Sequence, residues 1–136
     1  MNNPPPFSGF GLYFLWFLLF IFFYSSVSAI FAFTVQRDSG IPAWLLSIRI
    51  AILLSMFVWC FLTLGRRRLA VWGFWITSVL MIPFTVTYNY FFNLGIPDFV
   101  VTSGWIVRNS LITAVLIIIL IWLYNISIRN QLGSFY

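Results

Sequence analysis

Four apolar runs, Phe10 to Val35, Trp44 to Leu64, Leu69 to Phe92 and Trp105 to Ile128, take up most of the 136-residue chain. A hydrocarbon core about 30 Å thick needs roughly 20 helical residues at about 1.5 Å each, and every run exceeds that. The runs are continuously apolar, whereas a barrel strand of about ten residues alternates apolar and polar positions. Helix is also one of the two structures that satisfy every backbone N–H and C=O without water. The expected fold class is therefore all-α: one integral membrane domain over residues 1–136, a bundle of four transmembrane helices at about 10–35, 44–64, 69–92 and 105–128. Composition agrees, because a soluble domain of this size cannot hide 62% hydrophobic residues behind 7% charged ones.

The connecting loops are short and carry the turn residues. Gln36-Arg37-Asp38-Ser39-Gly40-Ile41-Pro42 separates the first two runs, Gly65-Arg66-Arg67-Arg68 the next two, and Asn93 to Gly104 the last two. Gly and Pro are expected to end the helices there. Short Arg-rich loops stay cytoplasmic, so Arg66, Arg67 and Arg68 are the topology determinant. Both termini and Arg129 then share the cytoplasmic side, with Arg37, Asp38 and Asp98 on the opposite face. Aromatic belts fit that frame, with Trp44, Tyr88, Tyr90 and Trp105 at the outer level and Trp72, Trp75, Trp122 and Tyr124 at the inner one. The first run ends near Val27-Ser28-Ala29, small residues that a signal peptidase accepts. It lacks a basic n-region and stays apolar beyond that point, so it is read as a retained helix.

The two outer loops share a faint pattern, Gly40-Ile41-Pro42 with Trp44 and Arg49 against Gly95-Ile96-Pro97 with Trp105 and Arg108. Either two parallel helical hairpins arose by duplication, or Gly, Pro and Trp are simply what a membrane loop uses before a helix.

Charge and missing residue types exclude several chemistries. The net charge of +5 comes from seven Arg and two Asp, with no His, Lys or Glu. Without His there is no imidazole base, proton shuttle or metal ligand. A single cysteine, Cys60, rules out intrachain disulfide exchange and is read as a small buried hydrophobe. No nucleophile with a base and no phosphate-cradling loop can be assembled, so the chain is read as a non-enzyme without a cofactor. The Arg residues sit at the ends of apolar segments rather than on a soluble basic surface, and nucleic acid is not expected as a partner.

What remains for function is a small set of polar groups inside the spans. Arg49 and Arg108 lie about a turn from the outer helix ends, where their stems snorkel to the interface or pair with Asp38 and Asp98. On the third run Thr77, Met81, Thr85, Asn89 and Asn93 recur at i, i+4 positions. Pro83 interrupts that helix, where Thr85 and Thr87 hydroxyls are placed to satisfy freed backbone groups. Such a stripe can line a substrate path, or serve as ordinary interhelical contacts worth about 0.6 kcal/mol each. Ser25, Ser26, Ser28 and Ala29 form a small-residue patch suited to close packing, and Leu111 to Leu120 a stretch suited to lipid.

Gly9-Phe10-Gly11-Leu12, the basic loop Arg66-Arg67-Arg68, and Arg108, Leu111, Tyr124, Ser127, Arg129 and Ser134-Phe135 near the end form a recurring membrane-protein pattern. It resembles the YdgK-like family of small four-helix bacterial inner-membrane proteins of unknown function. That family opens with Gly-Gly-Trp-Leu, carries a proline where Leu123 stands, and closes in Ser-x-Arg and Thr-Phe. The resemblance implies the topology and a bacterial inner membrane, and no reaction.

Two functions fit these residues. The first is a non-catalytic protein that binds other membrane proteins through its helices, as an accessory subunit, assembly factor or immunity-type factor, with the lipid bilayer as its solvent. The second is a small self-associating carrier or channel whose path runs along the third helix past Thr77, Thr85, Asn89 and Asn93, lined also by Arg49 or Arg108.

Overall fold

The computed structural model describes residues 9–36, 41–93, 102–129 and 135–136. It contains four helices, α1 (Gly9–Gln36), α2 (Ala43–Leu64), α3 (Arg68–Asn93) and α4 (Ser103–Ile128), each long and apolar enough to cross a membrane. The chain is thus an all-α, multi-pass membrane bundle. Neighbours are α1 with α2, α2 with α3, α3 with α4 and α4 back with α1, while among the described residues the backbones of the diagonal pairs stay apart. Short connections make successive helices antiparallel, as the pairs Trp59 with Thr77 and Arg49 with Tyr88 show between α2 and α3.

Helix α4 starts at Ser103, two residues before the apolar run. Thr102 adopts an extended backbone and its side chain accepts a hydrogen bond from the Trp105 amide at 3.1 Å. An N-cap of this kind satisfies one of the orphan donors of the first turn, which hydropathy alone does not register.

The turn after α2 distributes its conformations unexpectedly. Gly65 keeps φ −79, and Arg66 takes the left-handed conformation at φ 61. The Arg67 amide donates to the Leu62 carbonyl at 3.1 Å and the Arg66 amide to the Thr63 carbonyl at 2.9 Å. These two bonds form the Schellman closure of a helix C-terminus, with an arginine where glycine is usual.

Packing is uneven along the bundle. At the Arg-triplet end the core is continuous, with Leu15, Met56, Cys60, Phe74 and Tyr124 wholly inaccessible and Leu18, Phe22 and Ile128 beside them. At the other end Ile41, Leu45 and Leu46 form a smaller cluster with Phe33, Phe84, Tyr88 and Phe91, drawn from α1, the loop before α2, α2 and α3. Among the described residues helix α4 supplies nothing to that cluster. Its own buried residues are Ile117, Tyr124, Ser127 and Ile128, in the half nearer the Arg triplet.

Candidate functional site

Most polar groups of the spans are consumed by packing. The Tyr124 hydroxyl reaches across the bundle diagonal to lie 2.6 Å from Thr63 Oγ1, while Thr63 Oγ1 donates to the Trp59 carbonyl at 2.7 Å. A threonine hydroxyl has one proton to give, so Tyr124 is the donor to Thr63. The Tyr124 ring stacks on Phe74 with centroids 3.8 Å apart. Tyr124 is therefore a core residue, and its expected place in the inner aromatic belt is corrected. It lies too deep in the bundle to reach the interface, whereas Trp72 and Trp122 at that end are exposed. Trp75 Nε1 donates to Asn125 Oδ1 at 2.8 Å, joining α3 to α4. Cys60 is buried in the same core and Ser26 donates to the Phe22 carbonyl of its own helix at 2.6 Å. In the small-residue patch, Ser26 and Ala29 are buried.

The polar stripe of α3 divides into two parts. Thr77 accepts from Trp59 Nε1 at 3.0 Å, so it belongs to the α2–α3 contact. A Cβ on Gly73, one turn earlier, would meet three Trp59 ring atoms at 2.4 to 2.6 Å, which shows how closely the two helices pack there. At about 100° per residue, Thr85 and Asn89 fall roughly 20° either side of buried Ser78, and Asn93 roughly 60° from it. These three point toward the bundle interior, yet each is half-buried where Ser78 is inaccessible. Among the described residues none of the three makes a side-chain hydrogen bond. The i, i+4 series does not keep one face: it drifts about 40° per step, carrying Thr77 onto α2 and the later members inward. Thr87 donates to the Pro83 carbonyl at 2.8 Å, one turn back, instead of to the Val79 carbonyl that the proline leaves without its amide partner.

The arginines at the far end behave differently from one another. Arg49 donates to the Tyr88 hydroxyl at 3.2 Å, with its guanidinium carbon 5.2 Å from that ring's centroid. Arg108 is exposed on α4. Arg37, Asp38 and Asp98 lie outside the described residues, and with them the expected outer ion pairs and the full Gly-Ile-Pro comparison.

The Arg triplet is tied to the end of the chain, a contact without a pattern in the sequence. Arg68 N donates to the Tyr136 carbonyl and Tyr136 N to the Arg66 carbonyl, both at 2.9 Å. Arg68 Nε donates to the Phe135 carbonyl at 3.1 Å, and Arg67 lies over the Tyr136 ring with 4.5 Å from guanidinium carbon to centroid. The Phe135 side chain is buried in the main core.

The outward faces differ in kind. Helix α4 presents aliphatic residues over its middle, Leu111, Ile112, Val115, Leu116, Ile118 and Ile119, with Trp122 exposed at its Arg-triplet end. Helix α1 presents Phe10, Tyr13, Phe17, Phe20, Tyr24, Val27 and Phe31, all at least half exposed and aligned by alternating steps of three and four. Tyr24 is 66% exposed at roughly 22 Å from the start of α1 and 18 Å from its end, close to the middle of the span. Tyrosines favour the membrane interface, where the hydroxyl stays wet. In hydrocarbon an unsatisfied hydroxyl costs roughly 4 kcal/mol or more on transfer scales in which nothing can hydrogen-bond. Among the described residues Tyr24 has no hydrogen-bond partner. The sequence carries this signal only in its period, since tyrosine at mid-span on the same stripe as five phenylalanine and tyrosine residues marks one face.

Comparisons of the chain with protein-family models, with curated proteins and with solved structures find no match.

Proposed function

We propose that this protein is a non-catalytic membrane protein that works by helix–helix recognition within the bilayer, in the manner of an accessory subunit, assembly factor or immunity-type factor. The observation that carries this reading is the aromatic outward face of α1 with the Tyr24 hydroxyl at mid-span. Lipid tails make no demand for aromatic rings or hydroxyls, as the aliphatic outward face of α4 illustrates in the same chain. Aromatic residues are enriched where proteins meet, because they offer large rigid contact area. The positive-inside rule puts Arg66, Arg67 and Arg68 and both termini in the cytoplasm. The YdgK-like resemblance of the termini favours a bacterial inner membrane. Composition supports the absence of catalysis, since no base, nucleophile pair or metal-ligand set can be drawn from seven Arg, two Asp and one Cys.

A second reading has its own support. Thr85, Asn89 and Asn93 point into a half-accessible interior without hydrogen bonds, as the lining of a polar vestibule would. In a self-associating carrier they would form the outer part of the path. The wholly buried layer of Leu15, Met56, Phe74 and Tyr124 lies between that vestibule and the Arg-triplet end, so an open channel is disfavoured. The two readings separate in liposomes. Asn89→Leu combined with Thr85→Val leaves partner binding intact under the recognition reading and abolishes solute flux under the carrier reading. Flux in the parent protein that the double variant eliminates would overturn recognition as the primary function.

A further inference from the structure

Where α3 begins and α4 ends, three grooves share the Trp75 indole. The first, of about 380 Å³, lies between the two helices and is lined by Trp75, Trp122, Asn125, Ile126, Ile128 and Arg129. The second, of about 210 Å³, is bordered by Arg68, Trp72 and Trp75. The third, of about 300 Å³, continues from the same two indoles along α3 past Ile76, Val79 and Leu80, and its lining is wholly apolar. The Trp75–Asn125 bond fixes what the first groove offers. An indole N–H can only donate, so the Asn125 oxygen faces it and the Asn125 amide nitrogen keeps both protons for another acceptor. Arg129 stands four residues on, over the same face of α4, exposed and with no side-chain hydrogen bond among the described residues. In the second groove Arg68 Nε is held on the Phe135 carbonyl, which leaves the terminal nitrogens of its fork to other acceptors. The polar side-chain groups left over are thus donors, and two of them are cationic. Arg68 opens α3 and Arg129 caps α4, so both stand at the end of the spans, the depth of lipid headgroups. A soluble phosphate would use these donors and leave the apolar groove empty. A docking helix would have to supply an acid at that depth, whereas an anionic lipid brings its phosphate there with an apolar chain attached. Basic pockets between transmembrane helices suit such headgroups. We infer that this end of α3 and α4 is a binding site for an anionic phospholipid. Its phosphodiester accepts from the Asn125 amide and the Arg129 guanidinium, Arg68 adds a second positive charge across Trp75, and an acyl chain lies along Ile76, Val79 and Leu80. The inference uses a different face from the α1 stripe and stands apart from the helix-recognition reading.

The test is native mass spectrometry of the purified protein in mild detergent, titrated with phosphatidylglycerol and separately with phosphatidylcholine of the same acyl chains. Phosphatidylglycerol is expected to bind about tenfold more tightly or better, as two arginines at an anionic headgroup imply. Arg129→Gln is expected to weaken phosphatidylglycerol binding about fivefold, the scale of one basic residue at an anionic surface. Asn125→Asp keeps an acceptor for Trp75 Nε1 but sets a carboxylate where the phosphate needs a donor, and is expected to weaken it about tenfold. Arg67→Gln removes the same charge from the same end without lining any of the three grooves, and is expected to change binding less than about twofold. Unchanged helical circular dichroism and thermal midpoint show that the bundle is intact, and the exposed Arg129→Gln carries the test where Asn125→Asp fails to fold. Equal binding of the two lipids, or a loss in Arg67→Gln as large as in Arg129→Gln, would overturn the site in favour of general surface charge. Glycerophosphoglycerol, the deacylated headgroup, is expected to bind far more weakly than the intact lipid. Equal affinity for it would overturn the lipid in favour of a soluble phosphate ester.

Discussion

At the scale of single residues, the bundle is held by a few polar bonds placed inside an apolar core. Tyr124 combines a ring stack on Phe74 with a hydroxyl bond to Thr63, so the two contributions can be separated. Tyr124→Phe keeps the stack and is expected to cost about 1 kcal/mol, the usual net worth of one hydrogen bond. Tyr124→Ala also empties the stacking site and is expected to cost about 3 to 5 kcal/mol, both measured by equilibrium unfolding in detergent. Gly73 answers a different question, since its missing Cβ is what lets Trp59 lie against α3. Gly73→Ala forces the indole aside, breaking its bond to Thr77, and is expected to destabilise by about 1 to 3 kcal/mol. Little of this was legible in the sequence. A buried tyrosine and a belt tyrosine look alike at the end of an apolar run, and burial alone places Tyr124 in the core. Thr77 is polar by type, but only the position of Trp59 shows that it packs between α2 and α3.

At the scale of the elements, the helices themselves were almost fully legible, because hydropathy over some 20 residues leaves a bilayer-spanning chain few alternatives. The ends departed where capping chemistry overrides hydropathy. Thr102 extends α4 by two residues, and Arg66 rather than Gly65 adopts the left-handed turn after α2. The docking of Phe135 and Tyr136 on the α2–α3 turn had no sequence signature, since it joins residues about 70 apart through backbone atoms. That contact makes the turn and the last residues one unit. Phe135→Ala is expected to cost about 3 kcal/mol, as for a large side chain removed from a core. It should also speed hydrogen exchange at the Arg68 amide, whose acceptor is the Tyr136 carbonyl. Unchanged Arg68 exchange in that variant would mean that the turn is ordered by α2 and α3 alone. The pattern on α3 offers the complementary lesson. Spacing of four suggested one polar face, whereas the true helical period carries the series from the α2 contact into the interior.

At the scale of the whole molecule, the two ends of the bundle have different characters. The Arg-triplet end is tightly packed, with Thr63 bonded to Tyr124 and Trp75 to Asn125. Among the described residues, the far end has a smaller core, inward-pointing Thr85 and Asn89 without partners, and an α4 that adds nothing to the local cluster. Around this body, α1 turns an aromatic face outward and α4 an aliphatic one. A helix that needs only lipid has no use for Tyr24 at mid-span, and the account of function rests on that point. The most direct measurement is the mass of the intact protein in lipid nanodiscs, for the parent chain and for Phe20→Ala with Phe31→Ala. Recognition through α1 predicts a parent complex heavier than one 15.8 kDa chain that falls to a single chain in the variant. A parent protein that remains one chain of 15.8 kDa in native lipid, or a complex unaffected by the α1 substitutions, would contradict it.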